Sequence, residues 1–183
     1  MKHIVSLAIF VILSVFAWSS ITKYYSEDKQ LPGKSQRYVE LFMNEFEMTT
    51  MSESGEPMYI LKGASLQRYN DSDDSQILQP VFQLLQTDKQ WLVSADSATI
   101  NDKNETIKLN ANVVMQQQNI EPAATIRTQT LTINTKTQIA KTRALVTVTQ
   151  GNSQLQSNGM IFNNITSQLQ LTSDVNGYYL PHD

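Results

Sequence analysis

Val93-Ser94-Ala95-Asp96-Ser97-Ala98-Thr99-Ile100-Asn101 returns twice farther along the chain, as Ile126-Arg127-Thr128-Gln129-Thr130-Leu131-Thr132-Ile133-Asn134 and as Leu155-Gln156-Ser157-Asn158-Gly159-Met160-Ile161-Phe162-Asn163. The shared pattern runs apolar, any, small, Asp/Gln/Asn, any, apolar, any, Ile or Phe, Asn. Successive copies begin 33 and then 29 residues apart, a spacing typical of stacked repeat architectures. Each copy ends in a polar turn, such as Asn101-Asp102-Lys103-Asn104 or Asn163-Asn164. Each is followed by a short return strand, at Ile107–Leu109, Ile139–Lys141 and Leu169–Leu171. After the first two units another strand begins 13 residues beyond the Ile, at Val113 and at Val146. A weaker fourth copy starts at Leu61.

Within each unit the apolar residues keep a period of two. Trp91, Val93 and Ala95 share a parity, as do Ala98 and Ile100, Val113 and Met115, Leu131 and Ile133, Val146 and Val148, and Met160 and Phe162. Alternation of this kind gives strands with one apolar and one polar face. Short antiparallel strands joined by polar turns then stack into a sandwich or rolled sheet around a continuous apolar interior. The expected class is all-β, with no room for long helices. Upstream, Ser54-Gly55-Glu56-Pro57 is a turn leading into a strand over Met58–Gln67. Tyr38 to Met51 reads both ways: Val39, Phe42, Met43 and Phe46 have helical spacing, while Phe42, Phe46 and Met48 share a strand parity. Val81-Phe82-Gln83-Leu84-Leu85 is apolar on both faces, so its inward face is open.

The chain has 183 residues, with 14 Lys+Arg against 17 Asp+Glu, a net charge of -3 that gives no case for nucleic acid. From Ile107 onward the acids are Glu121, Asp174 and Asp183, and Thr, Gln and Asn fill the polar positions, as suits half-exposed strands. Cysteine is absent, which removes disulfides, thiol catalysis and most zinc sites. At the start, Lys2 precedes an uncharged, mostly apolar run from Ile4 to Ile21, long enough at about 1.5 Å per residue to cross a thin bilayer. Positive-inside bias places the rest of the chain outside the inner membrane. Ala17-Trp18-Ser19 could serve as a signal-cleavage site, but the length of the run and Trp18 favour a retained anchor. The expected layout is an anchor over 1–22, a polar linker over 23–37 containing Leu31-Pro32-Gly33, and an exported domain over 38–183.

No constellation for catalysis is visible. His3 and His182 lie at the two ends of the chain, which rules out His-based triads and metal sites within the repeats. Nucleotide-binding glycine loops are absent, and no cofactor is expected. Asp71, Asp73 and Asp74 in one Ser/Asn-rich turn read as a solvated loop; neither a glycosidase cleft nor an EF-hand has this spacing. Lys141 and Arg143 share a parity that could meet phosphates, although a solvated strand face is the simpler reading of them.

A rolled sheet has two ends with unpaired backbone groups, which suit strand addition from a partner. If it is also unsealed along its length, its interior is a groove. The succession Gly55, Tyr59-x-Leu61, Gln79-Pro80-Val81, Trp91-x-Val93-x-Ala95-Asp96-x-Ala98 and the Thr-Gln-x-Leu-x-Ile-Asn unit resembles the LptC family of lipopolysaccharide export proteins over essentially the full chain. The resemblance implies a single-pass inner-membrane protein with a periplasmic twisted β-jellyroll, open as a V-shaped groove. It further implies a non-enzymatic role: lipopolysaccharide passes from an inner-membrane ABC transporter, docked at one edge, to a soluble bridge protein of the same fold at the other. The alternative is a scaffold that tethers partners by edge pairing and binds no lipid. A groove of this kind would be lined by Phe46, Met48, Tyr59, Leu61, Val93, Ile100, Ile133, Val146 and Phe162. To these the resemblance adds Leu78, before the Gln-Pro turn, and the C-terminal Tyr178. Gly55 matches a position where the family requires a small residue, and Gly151 is a second glycine with a structural or partner-edge role.

Overall fold

The computed structural model describes residues 36–180 apart from Glu53, 86–89 and Tyr179. The expected anchor over 1–22 and most of the linker lie outside the described residues. Among the described residues no helix is long and apolar enough to cross a membrane.

Eleven antiparallel strands make one sheet: β1 Val39–Met51, β2 Pro57–Tyr69, β3 Asp74–Leu78, β4 Val81–Leu84, β5 Trp91–Ser94, β6 Ser97–Asn101, β7 Thr106–Gln117, β8 Thr125–Asn134, β9 Ile139–Gln150, β10 Ser153–Asn163 and β11 Gln168–Tyr178. The ambiguous Tyr38–Met51 segment is thus a strand over Val39–Met51, paired with β2 from Val39↔Tyr69 to Met51↔Pro57 with register shifts near both ends. Return strands that the sequence suggests are separate prove to be halves of single bent strands, since Ile107 and Val113 both belong to β7, and Ile139 and Val146 to β9. β7 to β11 follow one another across the sheet. Between β2 and β7 the sheet splits into two parallel tracks. The C-terminal half of β2 pairs through β3 and β6 to the first half of β7, and its N-terminal half through β4 and β5 to the second half.

That split continues as a crease through β1 and through β7 to β11. It runs through Glu45 in β1 (φ +44°), Gln79 between β3 and β4 (+49°), Ala111 and Asn112 in β7 (+60° and +50°), Gly159 in β10 (+88°) and Asp174 in β11 (+49°). Pairing registers shift at the same line between Asn110 and Val113, Thr128 and Thr132, and Asn158 and Met160. An inserted residue of this type bends a strand and re-aims its side chains. The fourth position of the repeat sits on this line. Asp96, Gln129 and Asn158 all point to solvent there, while the small third residues Ala95, Thr128 and Ser157 are buried on the inside of the bend. Local hydrogen bonds hold the crease: Asn112 Nδ2 donates to Asp96 at 2.7 Å, Asn158 Nδ2 to Asp174 at 2.7 Å, and Asp96 N to Ala111 O at 3.0 Å.

The last residue of the repeat closes its turn. Asn101, Asn134 and Asn163 each accept a hydrogen bond at Oδ1 from the backbone N–H three residues on, from Asn104 (2.8 Å), Thr137 (2.7 Å) and Thr166 (3.1 Å). Asn favours such turns because its side chain mimics a backbone carbonyl. One residue later the chain turns left-handed at Glu105, Gln138 and Ser167, with φ of +51°, +55° and +54°.

Folding along the crease brings two leaves face to face. Trp91, beyond the crease on β5, packs edge-on against Phe162, on the other leaf in β10, with ring centroids 5.2 Å apart. Buried side chains of both leaves form a single core from Phe46 to Phe162. Among the described residues β1 pairs only with β2 and β11 only with β10, so the sheet has two edges.

Candidate functional site

The inner faces of the two leaves are the candidate site, and the period-two pattern supplies their side chains. Phe46, Leu61, Val93, Ile133, Val146 and Phe162 are all in the buried core, and Met48, Tyr59 and Ile100 pack against it half-buried. The structure therefore brings nine of the eleven expected lining residues together. Leu78 and Tyr178 are not among them. Leu78 is 57% exposed on the face opposite its buried neighbour Ile77, because β3 takes its facing from Ile77, which pairs with Leu66 and Ala98, and the chain re-aims only at Gln79. Tyr178 is 56% exposed at the far end of β11. Gly55 lies in the β1–β2 turn with φ +83° and nothing within 4 Å of a Cβ built there, so backbone conformation, not space, calls for glycine. Gly151, with φ +55°, is in the turn between β9 and β10, one strand inside the edge.

The interior is packed. Leu61, Val93, Val146 and Met160 have no exposed surface. Where the leaves end, a cleft between Tyr59, Phe82 and Leu84 on one side and Ile107 and Ile133 on the other leaves about 30 Å³ free. That is room for a water or two, not for an alkyl chain.

Its electrostatics are simple. Among the described residues the buried polar ones are Ser75, Thr128, Thr142, Ser157 and Asn164, all uncharged; the nearest charge is Arg68, beside Ser75 at the end of the interior, whose guanidinium pairs with Glu40 at 3.5 Å. Three polar atoms there have no protein partner among the described residues: Trp91 Nε1, Thr128 Oγ1 and Asn164 Oδ1. Asn164 Nδ2 donates to Gln138 Oε1 at 2.9 Å, and both residues border the cleft with Asn134 and Thr135. Sequence alone does not single out this amide rim, since Asn163-Asn164 reads only as a turn. An interior so composed accepts hydrocarbon and a few neutral hydrogen-bonding groups, and rejects charge.

Remaining candidates serve the fold. Asp71 pairs with Arg37 (3.3 Å), Asp73 with Lys103 (2.7 Å), and Asp74 accepts from Asn101 Nδ2 (2.6 Å). These contacts tie the β2–β3 turn to its neighbours. Among the described residues no group of three His, Cys, Asp or Glu could hold a metal. Lys141 and Arg143 stand exposed on the outer face.

An apolar interior shared by two leaves, with sheet edges at β1 and β11 that have no partner strand among the described residues, defines a domain of the all-β class. Residues 6–180 match the family model described as lipopolysaccharide-assembly, LptC-related, and the chain belongs to the LptC family. It is accordingly a non-enzymatic component of lipopolysaccharide transport. No curated protein matches the chain.

Proposed function

We propose that the chain carries lipopolysaccharide in its interior and hands it from an inner-membrane ABC transporter to a soluble periplasmic bridge protein. In this reading residues 1–22 anchor the chain in the inner membrane, 23–37 form the linker, and 38–183 form a periplasmic jellyroll that opens as a V. The observation that carries it is the single apolar core running from β1 to β10 between two leaves joined only along a bent line. Acyl chains enter as the leaves part at the crease, replacing contacts among Phe46, Met48, Tyr59, Leu61, Val93, Ile100, Ile133, Val146 and Phe162. Each methylene transferred contributes about 0.8 kcal/mol, which offsets the inter-leaf packing lost. Sugars and phosphates remain in water at the mouth. Leu78, on the outer face, and Tyr178, in the outward register row of Gln154, Thr149 and Thr125, are not part of this lining.

The edges supply the direction. β1 begins just after the linker, so its open side faces the membrane-bound transporter, and β11 offers its open side to the bridge protein by strand addition. With no nucleotide site of its own, the chain is filled from behind.

The packed interior favours one alternative, a scaffold that tethers both partners through its edges and carries no lipid. Photo-crosslinking residues at Val93 and Phe162, with the exposed Ala64 on β2 as control, separate the two readings in cells. Lipopolysaccharide adducts at the inner positions alone support carriage. Adducts only to protein, from edge positions, favour the scaffold.

A further inference from the structure

The outer face of β7 to β10 carries cations that no described residue of the chain neutralises. Lys108, Thr132, Lys141 and Ile161 stand side by side in one register row across the four strands. They alternate with the buried Ile107, Ile133, Ala140 and Phe162, so they face away from the interior. Arg143 follows Lys141 on the same exposed parity. Ion pairs among the described residues involve Arg37, Lys62, Arg68, Lys103 and Lys136, all elsewhere. The one acid in β7 to β11, Asp174, is already engaged by Asn158 Nδ2 at 2.7 Å.

Thr132, Lys141, Arg143 and Ile161 border a surface depression of about 590 Å³, and Lys108 stands one strand outside it. Its unused donors are the Lys141 ammonium, the Arg143 guanidinium and the Thr132 hydroxyl. Two cations and a hydroxyl around a hollow without a carboxylate match the oxygens of a phosphate group. The setting is not purely polar. Ile161 is 40% exposed within the hollow, and Leu145, two residues beyond Arg143, is 58% exposed. Apolar side chains set among cations suit a lipid headgroup layer better than a water-borne polyanion.

We infer that this outer face docks on the headgroup phosphates of an anionic lipid bilayer. It lies on the reverse of the sheet from the proposed lipid-carrying interior and does not depend on that reading. Docking would hold the domain against the membrane by its outer surface, leaving the inner faces and both edges free.

The chain contains no cysteine, so a single introduced one reports cleanly. Gln170, the register partner of Ile161 on β11, is replaced by Cys and labelled with an environment-sensitive dye; Ala64→Cys on β2 is the control. Full-length protein in phosphatidylcholine nanodiscs is titrated with vesicles containing phosphatidylglycerol or phosphatidylcholine alone. The expected result is a blue shift at position 170 with phosphatidylglycerol only, and none at position 64. Taking about five-fold per cation at an anionic surface, K141E/R143E weakens vesicle binding at least about 25-fold, while K141R/R143K retains it. Unchanged thermal unfolding separates lost docking from lost fold, and K141Q/R143Q, with a smaller loss, carries the test if the reversal variant does not fold. Equal response to neutral vesicles, equal response at position 64, or binding that survives charge reversal overturns the inference. Displacement of vesicles by millimolar inorganic phosphate, or a preference for polyglutamate, likewise overturns the lipid assignment.

Discussion

β7 and β11 carry the same local plan. Each follows a left-handed turn residue, Glu105 or Ser167, starts with an inward apolar pair, Ile107/Leu109 or Leu169/Leu171, and bends at a residue of positive φ, Asn112 or Asp174. Their surroundings differ. Ile107 and Leu109 are 2% and 0% exposed, with strands on both sides and Phe82 of the other leaf across the cleft from Ile107. Leu169 is 37% exposed, and Leu171 is only half-buried, because β11 has one neighbour and little of the other leaf above it. Alternation in a strand dictates which residues face inward; whether anything covers them is decided by the sheet as a whole. The uncovered strip at this edge, with Leu169 before the bend and Val175 after it, is the kind of surface that a partner strand and its side chains would complete.

The largest predicted contrast lies between these two strands. Leu109→Ala leaves a cavity in a closed core and costs about 2–5 kcal/mol, whereas Leu169→Ala removes a part-hydrated side chain and costs less than about 1 kcal/mol. Urea denaturation of the two variants measures the difference. Equal losses would mean that β11 is covered in solution and that the two strands do not differ as described.

At the crease the contrast should narrow, because the demand there comes from the bend itself. Gly159→Ala combines a φ of +88° with close contacts to Thr172 and to the Thr142 carbonyl, and should cost about 2–4 kcal/mol. Gly55→Ala has a comparable φ of +83° but an open surround, so only the conformational part remains, about 1–2 kcal/mol. Thermal unfolding of both variants checks the order, and a reversal would show that the crease gives way cheaply. Smaller again are the side-chain pairs Asn112–Asp96 and Asn158–Asp174. Both are exposed, and double-mutant cycles on each should return a coupling below about 1 kcal/mol, similar at the centre and at the edge of the sheet. A much larger value at the centre would make the hydrogen bond, rather than the inserted residue, the cause of the bend there.

Much of the fold is legible in the sequence because its determinants are local. Parity names the inward residues of β5 to β10 with few errors, and the terminal Asn of each repeat marks a turn because one side chain closes it within three residues. The crease is written in the sequence as well: buried parity changes between Ala95 and Ala98, and between Thr128 and Leu131, which requires an extra residue at the fourth repeat position. That position reads as a mere polar slot until strands are paired. Non-local effects are out of reach. β1 could be helix or strand until β2 supplies its hydrogen bonds. Leu78 sits in an apolar run, and only its register with Ser65 and Ser97 turns it outward. For the site, the inner lining is legible. The amide rim at Asn164 and the bareness of β11 are not, since both depend on how far the opposite leaf extends.

If turns are local and coverage is not, a change confined to a turn should act alike in both regions. Gln138 and Ser167 occupy equivalent left-handed positions, with φ of +55° and +54°, one in the middle of the sheet and one at its edge. A side chain with a Cβ meets a steric penalty in that conformation that glycine does not, partly offset by the greater freedom of glycine in the unfolded chain. Gln138→Gly and Ser167→Gly should therefore each stabilise by up to about 1 kcal/mol, a rise of a few degrees in Tm. At Gln138 the gain is reduced by loss of the side-chain bond from Asn164 Nδ2, a contact with no counterpart at Ser167. A Gln138→Asn variant, which tolerates the left-handed region and keeps an amide, separates the two contributions. Should Ser167→Gly destabilise while Gln138→Gly stabilises, the edge turn would be held by something other than its own residues, and coverage of β11 by a partner would be the place to look.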